Sequence, residues 1–196
     1  VSILSGLDTP VFAAEGVPEN TDAGAWRVRV DGLAQQEAEL GLADIKALPN
    51  VILDARLTSV SGWSVRAQWE GTPWTEFMKR HPGRPEATHV TFVSAGGYAT
   101  TAPLTELSSP RVLLCWGVGG EPLEPDYGGP LRMLIPNLWG YKSCKWVVRI
   151  TYANSLVPGY WETRGYTNHG RIEPGTTMDV NTRTRRAIKG GEVTQF

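Results

Sequence analysis

The sequence predicts a β-rich α+β domain. Three observations carry this: several short apolar runs with period-two alternation, Gly and Pro punctuation between them, and only two stretches with helical spacing. Trp26, Val28 and Val30 alternate with Arg27, Arg29 and Asp31, which reads as a half-buried strand. "EAELGLADIKALP" reads as a short strand and then a short helix stopped before Pro49. "VILDARLTSV" and "VRAQWEG" are two further strands. In "GTPWTEFMKR" the spacing predicts a helix capped by Thr72, with Pro73 in its first turn and Trp74, Phe77 and Met78 on its apolar face. "HVTFVSA" and "RVLLCWGV" are strong strands, the second ending at Gly119-Gly120. "EPLEPDYGGP" is a loop, and "LRMLIP" and "KWVVRITY" complete the sheet structure. Residues 1–170 are read as a single domain and 171–196 as an irregular tail, because "TRTRRAIKGG" shows no clear period.

Composition bounds the function. A chain of 196 residues with 41% hydrophobic and 20% charged content reads as one soluble globular domain. A net charge of −1 gives no electrostatic case for nucleic acid or an anionic membrane as partner. No stretch is long and apolar enough to span a bilayer, and the start of the chain lacks a secretion pattern. Cys115 and Cys144 both lie in apolar runs, so they read as reduced core thiols and set a cytoplasmic expectation. His81, His89 and His169 have no metal-ligand spacing. No Ser-His-Asp set, phosphate loop or dinucleotide fingerprint is present.

Four segments, "SVSGWSVRAQWEGTPW", "HVTFVSAGGYATTAPL", "LLCWGVGGEPLEPDYGGPLRMLIPNLWGYKSCKWVVRI" and "PGYWETRGYTNHG", occur in an order and spacing that resembles the molybdopterin-binding domain of the sulfite oxidase family in its small single-domain bacterial form. The resemblance runs from about Trp26 to Gly170 and implies mixed sheets with short helices. It also implies a pterin dithiolene cofactor whose molybdenum takes one cysteine thiolate from the protein, a soft ligand that tunes the metal. On that register Ser59 occupies the cysteine position, Gly62 the place of a frequent arginine, and Tyr127 and Thr167 the places of two histidines. Arg132 and Lys145 match the family's phosphate-holding cations, and Lys142, Ser143 and Cys144 match the turn beside that phosphate. Cys144 itself reads as a buried thiol rather than a replacement ligand.

Four departures at one site favour loss of the cofactor, so the first expectation is a protein without cofactor or metal. Trp63, Trp139 and Tyr166, with Gly62 and Thr167, would then line an aromatic pocket for an apolar small-molecule substrate. Ser59, Tyr98 and Tyr127 would donate hydrogen bonds during a non-redox cyclisation or rearrangement, and Arg132, Lys142, Ser143 and Lys145 would hold an acidic head group. Two alternatives stand beside this. One is a molybdopterin-dependent oxidoreductase with Ser59 at the metal-ligand position, native or substituted. The other is a non-catalytic binding module.

Overall fold

The computed structural model describes residues 2–179, 182–193 and 196. The chain opens with a single helical turn, α1 (Ile3–Gly6), followed by an extended segment up to Ala25. Two five-stranded sheets follow, and period-two burial sorts their residues. The first takes β1 (Arg27–Gly32) and β2 (Ala38–Gly41); after α2 (Leu42–Lys46) the chain crosses into the second. That sheet begins with the hairpin of β3 (Val51–Ser59) and β4 (Trp63–Pro73), which leads into α3 (Trp74–Arg80). The hairpin β5 (His89–Ser94) and β6 (Ala99–Pro103) returns to the first sheet and ends in α4 (Leu104–Leu107). Strands β7 (Leu113–Val118), β8 (Glu121–Pro122) and β9 (Arg132–Leu134) complete the second sheet, and β10 (Val147–Ala153) completes the first. The orders are β2-β1-β10-β5-β6 and β3-β4-β7-β8, with β9 also on β7. The β1–β10 pair is parallel and the other pairs are antiparallel, so the first sheet is mixed.

The apolar run of β7 explains the core. Its six residues are all buried because both faces of the strand are covered. Leu114 and Trp116 join the larger core with Val28, Val30, Phe92, Ile150, Trp74 and Phe77. Leu113 and Cys115 face a second core with Leu57, Val65, Trp69 and Tyr127. This second core forms the floor of the cavity described below.

Two readings of the sequence change. Thr72 does not cap α3: it lies at the end of β4, pairs with Leu114, and donates its hydroxyl to the Ile45 carbonyl at 3.0 Å. The cap is Pro73, with no side-chain hydrogen bond. The segment 171–196 is not wholly irregular. Gly175–Met178 (β11) and Arg185–Ile188 (β12) pair antiparallel, and Ile172 and Ile188 bury themselves against Trp139. Alternation was too short there to stand out, and Gly and Thr supply little apolar signal. Among the described residues no helix is long and apolar enough to cross a membrane.

Candidate functional site

The site builds from the end of the β3–β4 hairpin. Ser59 closes β3 opposite Trp63, and three residues turn the chain. Ser59 Oγ accepts the Ser61 amide at 3.1 Å, the Gly62 amide returns to the Ser59 carbonyl at 3.1 Å, and Gly62 takes the positive φ (92°) that this turn needs. The C-terminal hairpin lies over this turn: Thr177 donates to the Val60 carbonyl, and a Cβ at Gly62 would sit 2.8 Å from Asp179 Cα. A long side chain at 62, such as the arginine implied by the family register, has no room under that cover.

Opposite stands the Gly128-Gly129-Pro130 turn leading into β9. A Cβ at Gly129 would lie 1.8 Å from the Leu123 carbonyl, and one at Gly128 would lie 2.9 Å from Lys145 Cγ. Only a glycine pair lets this turn press against both neighbours. It places Arg132 and Lys145 together. Arg132 is 3% exposed, and its guanidinium donates to the carbonyls of Tyr127 (2.7 Å), Met133 (3.1 Å) and Ser143 (3.2 Å). Lys145 Nζ donates to the Phe12 carbonyl at 2.7 Å and the Asp126 carbonyl at 3.0 Å. Neither makes an ion pair among the described residues. Burial pulls Arg132 down to about 10. Burial, and then the neighbouring Arg132, pull Lys145 down to about 7.

A cavity of about 130 Å³ joins the two ends. Ser59, Trp63, Tyr98, Tyr127, Arg132, Ser143, Lys145 and Tyr166 line it, so the fold brings together these residues of the set inferred from the sequence. Gly62, Trp139, Lys142 and Thr167 fall outside the lining. Trp139 packs with Ile172 and Ile188. Lys142 is fully buried elsewhere, its ammonium 2.5 Å from Glu162 Oε1 and 2.7 Å from the Thr101 carbonyl. Thr167 is exposed and exchanges hydrogen bonds with the Tyr141 hydroxyl. The hydroxyls assigned to substrate are also engaged. Tyr98 donates to the Tyr141 carbonyl, and Tyr127 donates to the Thr9 carbonyl at 3.0 Å. Burial raises both phenols, so both remain protonated donors near neutrality.

Among the lining residues that sequence reasoning missed, two sets stand out. One is the N-terminal segment, with Thr9, Phe12 and Glu15 among others. The other is Tyr141 and Trp161, which complete an aromatic wall: Trp161 stacks on Tyr166 at 4.9 Å, and Tyr166 meets Tyr141 edge-on at 5.2 Å. The aromatics of "GYWETRGY" were the available signal for the second set; nothing local marked the first. Cys144 is buried and its thiol is pushed up by burial. Cys115 is likewise pushed up to about 12, so neither thiol offers a ready thiolate. No cluster of three His, Cys, Asp or Glu suited to a metal occurs among the described residues.

Comparison with known proteins supplies the family. Residues 14–161 match the family described as "Oxidoreductase molybdopterin binding domain". An "Uncharacterized oxidoreductase YuiH" of Bacillus subtilis is 32% identical over 84% of this chain and 83% of its own length. A "Putative protein-methionine-sulfoxide reductase subunit YedZ1" of Azospira oryzae is 32% identical over 74% of this chain and 55% of its own. The "Protein-methionine-sulfoxide reductase catalytic subunit MsrP" of Ralstonia nicotianae is 29% identical, over 74% and 49%. The chain thus spans about half the length of the sulfoxide-reductase relatives. The sulfane dehydrogenase SoxCD of Paracoccus pantotrophus shares the fold, with a TM-score of 0.69 over 90% of this chain and 47% of that one, at 17% identity. These matches overturn the expectation of a cofactor-free cyclase in a vacated pocket: the relatives are named as oxidoreductases, and the oxidoreductase alternative is the reading they back. The β-rich α+β fold expected from the sequence is the fold observed, and the chain belongs to the oxidoreductase molybdopterin-binding domain family.

Proposed function

We propose that this chain is a molybdopterin-dependent oxidoreductase whose cavity takes the anionic end of the cofactor at Arg132 and Lys145 and presents Ser59 toward the metal. One observation carries the reading. Two cations line one cavity, and neither has a carboxylate partner among the described residues. Unpaired buried cations are unfavourable unless an anion arrives to compensate them. A phosphate is such an anion, and a guanidinium held in place by three carbonyls is pre-organised to meet it.

When bound, molybdenum supplies two-electron redox chemistry, including oxygen-atom transfer. The chain's own contributions are positional. Arg132 offers a fixed charge, and Lys145 takes up a proton as the anion approaches. The Ser59 hydroxyl is held at the hairpin end by the Ser61 amide, a hard oxygen donor in the place of a soft thiolate. The wall of Tyr141, Trp161 and Tyr166 keeps that end apolar and excludes water. The substrate class put forward is an organic sulfur oxide. The names of the methionine-sulfoxide reductase relatives support it, and so does the favourable contact of sulfur with aromatic rings.

The test is protein made in a host that synthesises the pterin cofactor. About one molybdenum per chain is expected, falling steeply in Lys145→Met. X-ray absorption should gain one sulfur scatterer at the metal in Ser59→Cys. Metal-free protein from that host would overturn the proposal.

A further inference from the structure

The cavity is small for a family that carries a large cofactor. Its volume of about 130 Å³ lies below the roughly 300–1,000 Å³ of ordinary ligand clefts. The space is taken by the chain itself. Thr9, Pro10, Phe12, Ala13, Ala14 and Glu15 all line it. Thr9, Pro10, Phe12 and Ala13 precede residue 14, where the family match begins, and Ala14 and Glu15 are its first two residues. It belongs to no strand, and its backbone amides make no described bond to either sheet. What holds it are three groups of the cavity, Tyr98, Tyr127 and Lys145, with Ser94 beside them. Tyr127 donates to the Thr9 carbonyl, Lys145 donates to the Phe12 carbonyl, and the Glu15 carboxylate accepts from Ser94 Oγ and the Tyr98 amide. The Phe12 ring, 56% exposed, lies 6.2 Å from Trp161 at the aromatic end. Phe12 therefore touches both ends of the site at once: its carbonyl at the cation, its ring at the aromatic wall.

We propose that residues 9–15 form a displaceable strap that closes the cavity by occupying its cationic end, and that an anionic ligand opens it by taking Lys145 from the Phe12 carbonyl. A neutral carbonyl is a weaker partner for an ammonium than an anion is, so the exchange runs toward the anion. Glu15 is the other anchor, and its contacts with Ser94 and the Tyr98 amide set how much of the population is closed before any anion arrives. The apparent affinity of any anion is then reduced by the fraction of molecules in which the strap is closed. The inference rests on the anionic-ligand part of the function proposed above and not on its metal.

The experiment uses the metal-free chain of 196 residues with inorganic pyrophosphate as the probe. Chymotryptic cleavage after Phe12, followed by mass spectrometry, reports strap opening, and calorimetry reports anion affinity. Pyrophosphate should accelerate the cut in the unaltered protein. Glu15→Ala should speed the cut without pyrophosphate and bind pyrophosphate about tenfold more tightly, the worth of roughly one hydrogen bond to a charged group. Circular dichroism and a cooperative melt establish that Glu15→Ala is folded; Glu15→Gln, which keeps one acceptor, should fall between the two. Protection of the Phe12 bond by pyrophosphate, unchanged affinity in folded Glu15→Ala, or no pyrophosphate binding to either protein would overturn the strap. The metal content of cofactor-loaded protein, measured separately, decides the oxidoreductase reading whichever way this comes out.

Discussion

Within fourteen residues the chain places three cations, Arg132 and Lys142 buried and Lys145 half-buried, in two opposite situations. Lys142 reaches into the core between β6 and the segment around Glu162, and there it has a carboxylate and a carbonyl partner. Glu162 Oε1 is 2.5 Å away, the Thr101 carbonyl 2.7 Å, and Thr100 Oγ1 steadies the same carboxylate oxygen at 2.7 Å. Arg132 and Lys145 have carbonyl oxygens and the ring faces of Trp69 and Trp146, with no carboxylate among the described residues. A carboxylate balances the first charge, whereas the other two wait for one. The contrast separates a pin that holds the fold from a site that holds a ligand, although both come from the same "LRMLIPNLWGYKSCKW" stretch.

Breaking the pin should have the largest effect. Lys142→Met leaves Glu162 buried with its charge uncompensated, and its second oxygen already has no partner among the described residues. We expect a loss of about 3–5 kcal/mol in urea unfolding. The double change Lys142→Met/Glu162→Leu should recover most of that, since an apolar pair of similar volume carries no desolvation penalty. If the single and double variants are equally unstable, packing rather than charge is what Lys142 supplies.

Next comes the turn that puts Arg132 and Lys145 side by side. At Gly129 the intruding Cβ would meet backbone, which cannot swing aside as a flexible side chain does. Gly129→Ala should cost about 1–3 kcal/mol, as overpacking in a close-packed interior does. It should also weaken sulfate binding at the cationic end, because the Tyr127 carbonyl that orients Arg132 moves with the turn. Urea unfolding and a sulfate titration on the same sample separate the two effects.

The difference between the pin and the site explains what was legible in the sequence. Fold class, most strands and the order of the motifs were readable, because period-two burial and Gly-Pro punctuation are local signals. "LLCWGV" was readable as a strand, but the second core on its far face was not. The separation of Lys142 from Lys145 was not readable, since it depends on Glu162, a partner twenty residues away that a 3-10 turn brings under β6. Gly62 was read as a lost arginine, yet its surroundings are set by Asp179 in a hairpin that lies far along the chain. The N-terminal residues that line the cavity carry no motif at all; Ser94 on β5, the Tyr98 amide between β5 and β6, Tyr127 and Lys145 place them. Loss of cofactor was inferred by counting departures residue by residue, while the family match spans 148 positions and weighs the whole register.

A pH profile sharpens the comparison at Lys145. Its folded value of about 7 lies below the ordinary 10.5. Between those values the unfolded chain holds a proton that the folded chain lacks, so stability rises with pH across that window. Below about pH 7 both states are charged and the folded protein bears the full penalty. Lys145→Met should flatten the rise. Sulfate binding should run the other way, strongest below about pH 7 and fading as Lys145 loses its proton. Sulfate does not titrate in this range, so the profile reports the protein. A flat sulfate profile would place the binding charge on Arg132 alone.

The smallest expected effect concerns Tyr98, which the sequence suggested as a hydrogen-bond donor to substrate. Its hydroxyl has one proton, and that proton points at the Tyr141 carbonyl. Burial raises its ionisation well above the ordinary phenol value, so it does not act as an anion either. Its ring lies 5.6 Å from Tyr160. The hydroxyl thus belongs with Lys142 rather than with Lys145: it satisfies a backbone group and fixes the residue that carries the wall. Tyr98→Phe should lower stability by about 0.5–1.5 kcal/mol, the net value of one ordinary hydrogen bond, with the ring packing retained. Sulfate affinity should stay within about twofold, because the hydroxyl's partner, the Tyr141 carbonyl, is not among the groups bonded to Arg132 or Lys145, and the Tyr98 amide that meets Glu15 is unchanged. A sharp loss of sulfate binding in a folded Tyr98→Phe protein would join the two ends of the cavity into one network and remove the distinction between pin and site at this residue.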